Sequence, residues 1–67
     1  MKSFTIILYG QRATRVAMSP RQALKLAVDA RQISQAAWRW MGDATQEGYY
    51  GPLSITRNTM TNQQELF

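Results

Sequence analysis

The four carboxylates of this sequence, Asp29, Asp43, Glu47 and Glu65, are the first candidates for chemistry. Carboxylates do general acid–base work or hold a metal only when they converge. Asp29 follows Lys25 by four residues on an expected helix, the spacing of a weak surface ion pair. Asp43 and Glu47 are equally spaced, in a glycine-rich stretch that does nothing to fix their separation. The sequence has no histidine and no cysteine. Imidazole general bases, thiolate nucleophiles, zinc fingers and disulfides therefore drop out. Serine and threonine have no histidine to activate them. A serine–lysine pair would have to use Lys2 or Lys25, and neither stands in a nucleophile motif. No GxGxxG or GxxxxGK[ST] signals a phosphate loop. The expectation is a binding protein, not an enzyme, with no cofactor and no metal.

The residues that could bind are of three kinds. The first is Gln63-Gln64-Glu65-Leu66-Phe67. It resembles the short peptide by which many bacterial proteins dock on the DNA polymerase sliding clamp. That family's usual pattern is glutamine, leucine, serine or aspartate, leucine, phenylalanine. Gln63, Leu66 and Phe67 match, Glu65 keeps an acid at the third position, and Gln64 departs from the leucine. The resemblance covers five residues and does not extend to the rest of the chain. It implies a clamp cleft that takes Leu66 and Phe67 while the Gln63 amide fixes the register. A polar run, Asn58 to Gln64, carries these two large apolar residues to the end of the sequence, where packing has little reason to leave them. The resemblance makes the chain an expected adaptor or modulator of bacterial DNA replication, and its small size together with the motif suggests a phage or other mobile element as the source.

The second kind is basic. Eight Lys and Arg stand against four Asp and Glu, for a net charge of +4. Such a bias permits contact with nucleic acid. Arg21, Lys25 and Arg39, with Arg31 on the flank, form an alternative phosphate-binding helix face. The outer face of the sheet, with Thr5, Tyr9, Arg12 and Arg15, is a further nucleic-acid candidate. The third kind is Trp38, which is either the edge of the core or a protein interface, including that of a homodimer or an inhibitor. Tyr49 and Tyr50 read as cover for a core edge. No segment approaches the ~18 apolar residues of a membrane span, so no membrane partner is expected. Lack of cysteine fits the cytoplasm.

These residues need elements to hold them. Phe4 to Tyr9 is rich in β-branched and aromatic residues and reads as strand one. Gly10-Gln11-Arg12 reads as the turn, and Ala13 to Met18 as strand two. A three-residue loop pairing Tyr9 with Ala13 gathers Phe4, Ile6, Leu8, Val16 and Met18 on one apolar face and turns Arg15 outward. Ser19-Pro20 is a helix start, and Gly42 a helix stop. Between them the spacing predicts one helix over 20–41, with Ala23, Leu26, Ala30, Ile33, Ala37, Trp40 and Met41 on its buried stripe. Asp43 to Pro52 reads as a loop and Leu53 to Arg57 as strand three. The expected fold class is α+β: a ββαβ domain over 1–57, with a three-stranded antiparallel sheet in the order 2-1-3 and one long helix on one face. A polar tail occupies 58–67.

Overall fold

The computed structural model describes residues 1–58. It is α+β, with an antiparallel sheet and a helical layer on one face. The elements are β1 (Lys2–Leu8), β2 (Gln11–Ala17), α1 (Pro20–Asp29), a 3-10 helix (Gln35–Trp40), β3 (Gly48–Tyr50) and β4 (Leu53–Arg57). The sheet has four strands in the order β2-β1-β4-β3, every neighbouring pair antiparallel. The expected sheet of three strands is corrected to four. The expected third strand is β4, and it does lie beside β1. The extra strand, β3, falls inside the stretch read as a loop. Its three residues Gly48, Tyr49 and Tyr50 are too few to show alternation.

The helix is the second correction. α1 begins where the sequence says. The Ser19 hydroxyl accepts from the Gln22 backbone N–H at 3.2 Å, and Pro20 opens the first turn. Gln22 answers with its own oxygen, which accepts from the Met18 N–H at 2.7 Å. Two amide groups at the helix entry are thereby satisfied by side chains. But α1 ends at Asp29, twelve residues short of Met41. Arg31 adopts a left-handed φ of 64°. The Gln32 N–H then reaches the Ala27 carbonyl at 2.9 Å and the Arg31 N–H the Val28 carbonyl at 3.0 Å. That pair of bonds is a Schellman stop, usually built on glycine. After it Ser34 caps the 3-10 helix, its hydroxyl accepting from the Ala36 N–H at 3.1 Å.

The break changes the buried stripe. Ala23, Ile33 and Ala37 are buried as expected, and Leu26, Trp40 and Met41 pack against the core. Ala30 is exposed at the cap. Leu24, Ala27 and Val28 take its place. Packing against β2 and β1 thus selects the face centred between Ala23 and Val28, not the longer alanine repeat. With Phe4, Ile6, Leu8, Leu53 and Ile55 from the sheet they form one apolar cluster.

The third correction is the hairpin register. Leu8 pairs with Gln11, Ile6 with Ala13 and Phe4 with Arg15. The loop is therefore the two residues Tyr9-Gly10, both with positive φ, 49° and 80°. This is the signature of a type I′ turn, whose twist matches the flanking strands. Its register buries Ala13 and Ala17, small enough for α1 to lie close on β2, and leaves Val16 and Met18 exposed. Arg15 shares the covered face with Phe4. It resolves the conflict by reaching outward, its Nη1 donating to Gln32 Oε1 at 3.2 Å.

Candidate interaction surfaces

Gln63, Leu66 and Phe67, the expected clamp-binding residues, lie outside the described residues. The basic helix face is not one face. Arg21 and Lys25 stand one turn apart on α1, both exposed. The Arg21 guanidinium donates through Nη2 to the Gly42 carbonyl at 3.0 Å, closing the loop after the 3-10 helix onto α1. Arg31 is exposed in the turn that stops α1, with its left-handed φ. Arg39 is on the 3-10 helix with its guanidinium over the Trp40 ring, 5.0 Å from the centroid, a cation–π distance. The break thus leaves Arg21 and Lys25 on α1, Arg31 in the turn and Arg39 on the 3-10 helix, and Arg21 and Arg39 already have protein partners.

Trp38 sits on the 3-10 helix and is 42% exposed. It therefore does not share a helix with the α1 residues of the buried stripe. Trp40 is the indole that packs inward, half-buried against the core. A Cβ added at Gly51 would lie 3.6 Å from its ring, so the turn between β3 and β4 runs close over Trp40. Tyr50 is half-buried and donates its hydroxyl to the Gln46 carbonyl, whereas Tyr49 is exposed. The reading of both tyrosines as core cover is right for Tyr50 only.

Asp29, Asp43 and Glu47 do not converge. Among the described residues no group of three His, Cys, Asp or Glu side chains could hold a metal ion. Glu47 Oε1 instead accepts from the Arg57 backbone N–H at 3.4 Å, tying the start of β3 to the end of β4. Among the described residues no helix is long and apolar enough to cross a membrane.

The remaining surface is the sheet face that the helices do not cover. Strand alternation assigns it Ser3, Thr5 and Ile7 from β1, Arg12, Thr14 and Val16 from β2, Ser54 and Thr56 from β4, and Tyr49 from β3. The pairing lays these residues out in rows. One row runs Arg12, Ile7, Ser54, Tyr49 across all four strands. At ~4.8 Å per strand it spans about 14 Å. The next row is Thr14, Thr5, Thr56. At the far end Asn58 closes over β1. Its side-chain amide donates to Ser3 Oγ at 2.9 Å, and its oxygen accepts from the Thr5 hydroxyl at 2.8 Å. Its backbone N–H reaches the Ser3 carbonyl at 2.8 Å. Ser3 and Thr5 are buried by this arrangement. Of the outer-face residues named from sequence, Thr5 and Arg12 belong here and Arg15 does not. Tyr9 stands in the turn at the end of β1. Val16 and Tyr49 were missed. The row depends on register, and register was the part of the hairpin least visible in the sequence. No protein-family model, characterised protein or solved structure matches this chain.

Proposed function

We propose that the chain is a non-enzymatic adaptor that docks on the sliding clamp of bacterial DNA polymerase through Gln63, Leu66 and Phe67. The observation that carries this reading is the five-residue pattern itself, with glutamine first and leucine-phenylalanine last. The fold is compatible with it. All core residues among those described lie between Phe4 and Ile55, before the motif in the sequence. Leu66 and Phe67 would contribute ~1.5–3 kcal/mol each on entering an apolar cleft. With a few hydrogen bonds added, and after the cost of ordering the peptide, the affinity would be micromolar at best, roughly −8 kcal/mol. The folded part would then recruit a second molecule to the clamp or exclude other clamp clients. Such a protein works in the bacterial cytoplasm, and a phage or mobile element is a natural source for it.

The test is titration of purified clamp with the full chain and with a Leu66→Ala, Phe67→Ala variant. The expected result is a micromolar dissociation constant for the first and at least about a tenfold weaker one for the second. Equal binding by both, or none by either, overturns the reading.

A further inference from the structure

The open sheet face is not used by the core or the helices, and its chemistry is uneven. At the end near the two turns stand Arg12, Ile7, Tyr9 and Tyr49. Tyr9 is 63% exposed and Tyr49 80% exposed, the latter more than any other aromatic residue recorded as exposed. Neither ring is needed by the core. Between them Ile7 offers a small apolar floor, and Ser54, Thr14 and Thr56 offer hydroxyls. Arg12 is exposed, and no strand residue on this face is acidic. Glu47, just before β3, has its carboxylate turned to the Arg57 backbone. Asp29 ends α1 and Asp43 follows the 3-10 helix, so both belong to the helical layer.

We propose that this face binds single-stranded nucleic acid, with bases stacked on Tyr9 and Tyr49 and a phosphate held by Arg12. The charge of the chain, +4, and the exposed Arg12 in the same row as Tyr49 favour a polyanion. The tyrosines favour exposed bases, since every base has a π-face to stack on a ring. A duplex hides those faces and is read instead by elements inserted into its grooves, which an open sheet face with two-residue turns does not provide. A second copy of the chain fits less well. Face-to-face pairing would have to rest on a floor whose aliphatic strand residues are only Ile7 and Val16. The inference does not depend on clamp docking, and its assay contains no clamp.

The experiment is fluorescence anisotropy of a labelled oligothymidine of about 20 nucleotides with the purified full chain. The expected dissociation constant lies between about 1 and 100 µM and weakens with salt, with a log–log slope near −0.7 per phosphate contacted. Tyr49→Ala should weaken binding by about tenfold, and Tyr49→Phe should restore it, because stacking uses the ring and not the hydroxyl. Arg12→Gln should weaken binding and flatten the salt slope. Arg21→Gln and Lys25→Gln, on the opposite layer, should change little. Circular dichroism melts check that each variant is folded. Absence of binding at about 100 µM overturns the proposal. So does binding unchanged in folded Arg12→Gln and Tyr49→Ala chains, or loss of binding equally in the Lys25→Gln chain. A Tyr49-dependent dimer in sedimentation, with no oligonucleotide bound, overturns it in favour of self-association.

Discussion

The two faces of the sheet come from the same four strands and are built to opposite rules. The covered face alternates large and small. Phe4, Ile6 and Leu8 on β1 stand between Ala13 and Ala17 on β2 and Leu53 and Ile55 on β4. The small side chains lie under α1, so the helix approaches β2 closely while the larger residues of β1 and β4 fill the centre. The open face has no such layer. Its middle is serine and threonine, its apolar residues are exposed, and its one buried patch is held by hydrogen bonds to Asn58. The difference teaches that stability is concentrated on one side of β1. Side chains on the other side are free to answer to a ligand.

That contrast can be attacked from its stronger side first. Ile6→Ala removes a fully buried side chain from the centre of the cluster. It should cost ~2–5 kcal/mol in urea unfolding, enough to unfold much of a domain this small. Ala17→Leu tests whether β2 is thin of necessity. A larger side chain under α1 should cost about 1–3 kcal/mol by overpacking, read as a lowered melting temperature. A neutral result would mean that α1 is not closely seated. Asn58→Ala moves to the open face. It removes two side-chain hydrogen bonds, but the freed Ser3 and Thr5 hydroxyls regain water, so the loss should be only about 1 kcal/mol. The smallest effect should be a gain. Arg31→Gly places the residue that the left-handed φ prefers at the helix stop and should stabilise by ~0.5 kcal/mol. A destabilised Arg31→Gly chain would mean that the arginine side chain holds the break together.

Much of the covered face is legible in the sequence. The alternation of Phe4, Ile6 and Leu8, the Ser19-Pro20 cap and the strand from Leu53 are strong local signals. What is not legible has a common cause. The turn after β1 uses Tyr9-Gly10 where asparagine-glycine would announce a type I′ turn. The stop after α1 uses Arg31 where glycine would announce a Schellman cap. In both places a non-glycine residue adopts a positive φ, and nothing in its type says so. Both misreadings then propagate. One moves Val16 and Met18 from the core to solvent, and the other joins Arg39 to Arg21 on a helix that does not exist. Arg12 was named as a candidate, but its row with Ile7, Ser54 and Tyr49 needed the correct register and an unexpected fourth strand.

The central position of β1 also sets an order of events. Its partner on one side, β2, follows after two residues, and such hairpins close in about 1–10 µs. Its partner on the other side is β4, and residues 9–52 lie between Leu8 and the Leu53 it pairs with. At a synthesis rate of about 5–20 residues per second, that interval lasts about 2–9 s. During it α1 can already cover Phe4, Ile6 and Leu8, but β1 has no strand along its second edge. A small sheet with one central strand thus leaves β1 waiting for a partner that follows α1, the 3-10 helix and β3 in the sequence. A chaperone or the ribosome surface would meet at this stage a hairpin whose inner edge is still open.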